Sequence, residues 1–149
     1  MSQRVVVASL VGAVALGGVA AGGIASATAS SEPTVENATA RYQAPAGGGG
    51  AEVTFTAEVG DDSGVRDLKV LAWPKSSHLD PKAGELEKAE SATCEKTGEE
   101  TSRCTYTLKA GADEAAGLPR GPWKVSVLAK GEDGDTTFVP DAATFTVPR

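Results

Sequence analysis

The chain has 149 residues and 20 acids against 14 bases, a formal net charge of −6, and its single Met beside 18 glycines and 8 prolines speaks for turns and strands and against long helices. That length supplies one core and no second. Lys69, Lys75, Lys82, Lys88 and Lys96 stand singly, without a basic stripe or neighbouring aromatics, so the charge balance argues against a nucleic acid as partner.

Residues 1–29 read as a secretory signal peptide. Arg4 supplies the positive start, Val5 to Ala21 the apolar run, and small residues follow before a cut. Ala25-Ser26-Ala27 and Ala27-Thr28-Ala29 each place Ala at both positions a signal peptidase reads, so cleavage after Ala27 and after Ala29 both fit. The expected destination is extracellular, with no membrane attachment after cleavage. The competing reading is a membrane anchor formed by an uncleaved leader, because Val5 to Ile24 is uncharged and long enough to cross a bilayer. Against it, Gly17, Gly18, Gly22 and Gly23 weaken a helix there, and the following flank is neutral rather than basic. Arg4 is the leader's only charged residue, so the remainder has a net charge near −7.

Residues 30–33 form a polar spacer, and one domain is expected over 34–149. Thr34 to Tyr42 reads as a modest first strand, followed by Pro45 and the loop Gly47 to Gly50. From Glu52 to Val59 apolar and polar residues alternate, which predicts a half-buried strand with Val53, Phe55, Ala57 and Val59 inward. Asp61-Asp62-Ser63-Gly64 is a turn. Val65 to Trp73 is a strand with Leu68, Val70 and Ala72 on one face and Leu71 and Trp73 on the other, a pattern that suits a central strand. Pro74 to Ala89 is a long connection in which Asp80-Pro81 caps and starts a short helix through Leu86.

Two strands follow, Glu90 to Lys96 and Thr101 to Lys109. The exported chain meets an oxidising compartment, so Cys94 and Cys104 are expected to pair across a hairpin turning at Gly98-Glu99-Glu100. This spacing reads as a staple; redox work favours a close Cys-x-x-Cys. Ala112 to Leu118 is a helical turn closed by Pro119 and Gly121. Trp123, Val125, Val127 and Ala129 alternate inward, Gly131 to Asp135 is a hairpin turn, and Thr136 to Val139 continues through Pro140, which demands a bulge or edge position, to Ala143, Phe145 and Val147. The expected fold class is all-β, a β-sandwich of about seven strands with one disulfide hairpin and one or two short helical turns.

The stretch Phe55-Thr56-Ala57-Glu58-Val59-Gly60-Asp61-Asp62-Ser63-Gly64-Val65, with Leu68-Lys69-Val70 after it, resembles the B-to-C hairpin of bacterial immunoglobulin-like domains. Leu118-Pro119-Arg120-Gly121-Pro122-Trp123-Lys124-Val125-Ser126-Val127-Leu128-Ala129, then Glu132-Asp133-Gly134-Asp135, is similar to their E-to-F corner, strand F and F-to-G turn. With the leader and the cysteine hairpin, the chain from about Glu32 to Val147 resembles a family of small secreted Gram-positive immunoglobulin-like proteins catalogued as a domain of unknown function. The resemblance implies the architecture and supplies no catalytic or ligand residues. Antibody-type domains join strands B and F by a disulfide, whereas here Phe55 or Ala57 and Val125 or Val127 occupy those strands, so the likeness is one of topology.

The resemblance also implies that the B-to-C and F-to-G turns share one end, gathering Asp61, Asp62, Asp67, Glu132, Asp133 and Asp135 as a candidate Ca²⁺ set. The plainer account is that such turns simply favour Asp, Ser and Gly. His78, with Ser76 and Asp80 nearby, lacks the spatial convergence a triad needs, and Glu85, Glu87 and Glu90 fit a solvated face better than a glycosidase pair. One His and two paired Cys cannot supply a zinc set. Trp123 is expected in the core, and Trp73 is divided between the core and a binding surface. Asn37-Ala38-Thr39 fits a glycosylation sequon, a triplet common by chance. The function expected is that of a monomeric, non-enzymatic extracellular or cell-envelope module, without a cofactor, that binds a protein or cell-wall polymer. The alternative is an inhibitor presenting a constrained loop to a secreted enzyme.

Overall fold

The computed structural model describes residues 32–44, 47 and 49–148; the leader and its cleavage positions lie outside them. Among these described residues eight strands form two antiparallel sheets: β1 (Thr34–Gln43), β2 (Ala51–Gly60), β3 (Val65–Pro74), β4 (Glu90–Ser91), β5 (Thr93–Lys96), β6 (Thr101–Ala110), β7 (Gly121–Gly131) and β8 (Thr136–Val147). The first sheet runs β1-β2-β6-β5 and the second β4-β3-β7-β8. A turn of 3-10 helix, Lys75–Ser77, and the helix α1, Ala83–Leu86, interrupt the connection after β3, and α2, Ala112–Ala116, precedes β7.

Period-two patterning builds the core. In β2 the alternate residues Ala51, Val53, Phe55, Ala57 and Val59 are all buried, because successive side chains of a strand point to opposite faces. From the second sheet Leu68, Val70, Val125, Val127 and Ala129 meet them, and Trp123 and Phe145 stack at 5.6 Å near the end of this layer. Trp123 is therefore a core residue, and its indole N–H donates to the Pro119 carbonyl at 3.0 Å.

Trp73 is also buried, but in a different place. Cross-strand register puts Trp73 opposite Lys124 and Ala72 opposite Val125, so the indole lies on the second sheet's outer face. Lys75–Ser77 packs against β7 and α1 against β3 and β7, and Leu86, Leu128 and Ser126 are all buried. Apolar residues on both faces of β3 thus reflect a core below and a covered surface above.

Two expectations need correction. The segment Glu90 to Lys96 is not one strand: Glu90–Ser91 pairs with β3, whereas Thr93–Lys96 pairs with β6. At Ala92, whose N–H still donates to Leu68 of the second sheet at 2.8 Å, the chain crosses between sheets. Each edge thereby gains some backbone partners from one short segment, and the strand count becomes eight rather than seven. Asp80 does not cap the short helix. Lys82 is the N-cap, its backbone N–H donating to the Glu85 carboxylate at 2.9 Å, while Asp80 accepts an ion pair from Lys82 at 2.8 Å.

Pro140 has the environment its missing N–H requires. β8 is an edge strand, and Val125 pairs with Ala143 but Val127 with Val139, so three residues bulge opposite Ser126. The buried Ser126 hydroxyl donates to the Pro140 carbonyl at 2.8 Å and accepts from the Trp73 indole at 3.0 Å.

Candidate functional site

At one end of the two sheets three turns come together. Gly64 and Gly134 hold φ of +102° and +94°, values that glycine tolerates best, which tightens the β2 to β3 and β7 to β8 turns. The Glu132 N–H donates to the Gly64 carbonyl at 2.9 Å, and the Asp61 N–H donates to the Glu100 carbonyl at 2.8 Å, so the tip of the cysteine hairpin is tied to the same end.

Asp61 is the anchor of this end. It is only 4% exposed, and its Oδ2 accepts from both the backbone N–H, at 2.9 Å, and the hydroxyl of Ser63. That hydroxyl also accepts the Asp133 N–H at 3.0 Å, linking the two turns through one side chain. The other carboxylate oxygen, Oδ1, is buried with no hydrogen-bond partner. A Cβ built on Gly131 would collide with both oxygens of this carboxylate, so glycine there permits the approach.

Of the six acids proposed for Ca²⁺, Asp61, Asp62 and Asp133 come together, each offering a carboxylate oxygen within 4.8 Å of the others. Asp67 pairs with Lys69 at 3.6 Å, Glu132 with Arg66 at 3.7 Å, and the Asp135 N–H donates to Asp133 Oδ1 at 3.0 Å. The resemblance grouped all six; the structure brings three of them within reach of one another.

A second feature went unread in the sequence, where its signal is Thr54-Phe55-Thr56 and Thr105-Tyr106-Thr107. Register places Thr39 opposite Thr56, Thr56 opposite Thr105, and Thr105 opposite Thr93. Four threonines therefore form a row across every strand of the first sheet, on the face away from the core. Thr54 and Thr107, with Arg41, make a parallel row beside it, and Glu58 with Arg103, 3.3 Å apart, borders the other side. Strand spacing puts neighbouring threonines about 4.8 Å apart across the sheet and about 6.7 Å apart along a strand. Thr39 and Thr56 share a hydrogen bond at 3.0 Å. All these side chains are exposed or half-buried, whereas Lys75–Ser77 and α1 pack against strands of the second sheet.

The remaining candidates are occupied in other ways. His78 is exposed in a left-handed turn conformation, φ +59°. Ser76 is exposed as well, and Lys82 holds Asp80 below the usual carboxylate range through a hydrogen bond and its charge. Glu90 accepts from the Tyr106 hydroxyl at 2.8 Å; partial burial first, then this acid, pushes the phenol up to about 12. Glu85 is bound to the α1 N-terminus and Glu87 is exposed, so the three glutamates do not form a pair. Asn37 sits in a β1 bulge, donating to Glu58 at 3.2 Å. Cys94 and Cys104 are bonded as cross-strand partners, which suits an oxidising environment, and among the described residues no helix is long and apolar enough to cross a membrane.

No curated protein and no solved structure matches the chain. The model of a family of unknown function, DUF5707, matches residues 35–129. That span contains all four threonines of the row, together with Asp61 and Asp62, and stops short of Asp133.

Proposed function

Because this chain belongs to DUF5707, a family of unknown function, no activity passes to it from a relative, and we propose that it is a secreted, non-enzymatic immunoglobulin-like module. It binds an extracellular polymer of the cell envelope across the outer face of the β1-β2-β6-β5 sheet. The observation that carries this reading is the threonine row, Thr39-Thr56-Thr105-Thr93. Each threonine offers a hydroxyl that both donates and accepts, next to a methyl group, and the strands hold these groups in a periodic array. A chain of repeating hydroxyl or amide units meets such an array at several points with little side-chain entropy to lose, since β-branched residues are stiff at χ1. The two Thr-x-Thr strands lie inside the span matched by the family model, and the bordering Glu58 and Arg103 largely cancel one another's charge.

Co-sedimentation of the purified protein with isolated cell wall tests this reading. Thr56→Lys and Thr105→Lys, both on the solvent side, are expected to leave the fold intact by circular dichroism and to abolish sedimentation. Undiminished sedimentation of both variants, or none by the parent protein, refutes it.

A second reading, an inhibitor of a secreted enzyme, is favoured by the rigidity of the cysteine hairpin. The Thr97 and Gly98 N–H groups both donate to the Thr101 carbonyl, at 3.0 and 3.2 Å, and the exposed tip Glu99-Glu100 projects beyond the disulfide. Slowing of secreted proteases that disappears on reduction would support it over the polymer.

A further inference from the structure

We propose that Asp61, Asp62 and Asp133 bind a Ca²⁺ ion that clamps the β2 to β3 turn onto the β7 to β8 turn. This goes beyond the polymer-binding face and does not depend on it. Geometry is the first support. Calcium sits about 2.3–2.6 Å from its oxygens, so oxygens on one ion lie up to about 5 Å apart, and the three carboxylates each place an oxygen within 4.8 Å of the others.

The second support is the buried half of Asp61. Ser63 uses Oδ2 twice, while Oδ1 has no hydrogen-bond partner in a residue only 4% exposed. A buried, charged oxygen without a partner is costly. Both oxygens lie against Gly131, the last residue of β7 before the turn that carries Asp133. The turns alone do not require these charges: Asn would accept the Ser63 N–H at position 61 and the Asp135 N–H at position 133 equally well.

The donors are all hard oxygens on short turns, the set Ca²⁺ prefers, and Ser63 Oγ or water completes a shell of six to eight. With three protein carboxylates the affinity belongs with extracellular modules, a Kd of about 10⁻⁴ to 10⁻³ M.

The test is calorimetric titration of the purified, chelator-treated protein with CaCl₂, beside thermal melts in CaCl₂ and in MgCl₂ of equal concentration. Saturable binding is expected, with a rise in melting temperature of about 4–8 °C at roughly 10 mM CaCl₂ and a clearly smaller one in MgCl₂. Asp133→Asn keeps the acceptor for the Asp135 N–H and is exposed, so it is expected to melt near the parent temperature without calcium and to lose about tenfold or more in affinity. Asp62→Asn is the second variant, with the same expectation, should Asp133→Asn fail to fold. No heat and no rise in the parent protein, an equal response to MgCl₂, or an undiminished response in the variants would each overturn the site.

Discussion

Ser126 offers the sharpest test of how the domain is held together. Its side chain is fully buried and its hydroxyl makes two bonds, accepting from the Trp73 indole at 3.0 Å and donating to the Pro140 carbonyl at 2.8 Å. One atom thus fastens the covered outer face of the second sheet to the bulge in its edge strand. Ser126→Ala removes that atom and little volume, so the cost is set by the two partners left behind. The indole N–H is deep, Trp73 being 8% exposed, and an unsatisfied buried donor costs about 1–3 kcal/mol. The Pro140 carbonyl lies on an edge strand where water substitutes in part, so about 0.5–1.5 kcal/mol is lost there. The sum, about 1.5–4.5 kcal/mol, is a large share of the roughly 5–15 kcal/mol by which a domain of this size is stable. Urea unfolding followed by tryptophan fluorescence measures it as a fall in midpoint at constant m-value. In a Trp73→Phe background the donor is already absent, so the same substitution is expected to cost about 1 kcal/mol less or better, a coupling that a double-mutant cycle isolates. A loss under about 0.5 kcal/mol in the parent background, or zero coupling to Trp73, would refute the reasoning.

Two further outcomes follow from named groups. Replacing both Cys94 and Cys104 by Ser releases a loop with a sequence separation of 10, which on chain-entropy grounds costs about 2.7 kcal/mol; an unchanged urea midpoint contradicts this. Tyr106, with its phenol pushed up to about 12, holds its proton in the folded state after the unfolded chain has lost it. Its contribution is therefore full below the ordinary phenol value near 10 and is lost as pH rises toward 12. A pH titration of tyrosinate absorbance should contain a late step that Tyr106→Phe removes, and a lone ordinary step in both proteins counts against the Glu90 hydrogen bond.

Much of this architecture could be read along the chain. The alternation in Glu52 to Val59 and Trp123 to Ala129 named the core because the face a strand residue occupies is a local property, repeating every second position. The cysteine hairpin, the turns at Gly64 and Gly134 and the bulge demanded by Pro140 were legible for the same reason: each rests on the backbone preferences of a few neighbouring residues. The misplaced cap at Asp80 shows the limit even at short range, since Lys82 offered that carboxylate a stronger partner than a helix start did.

What lay beyond the chain's own order was pairing. Nothing within Glu90 to Lys96 announces that its first two residues belong to one sheet and its last four to the other, because a backbone N–H is served equally well by either edge. Nor does the count of acids in two turns say which three converge, or the recurrence of Thr-x-Thr that four threonines align in one row. Those are consequences of register and of the packing of two sheets, set jointly by residues far apart in sequence, and they exist only once the strands have met.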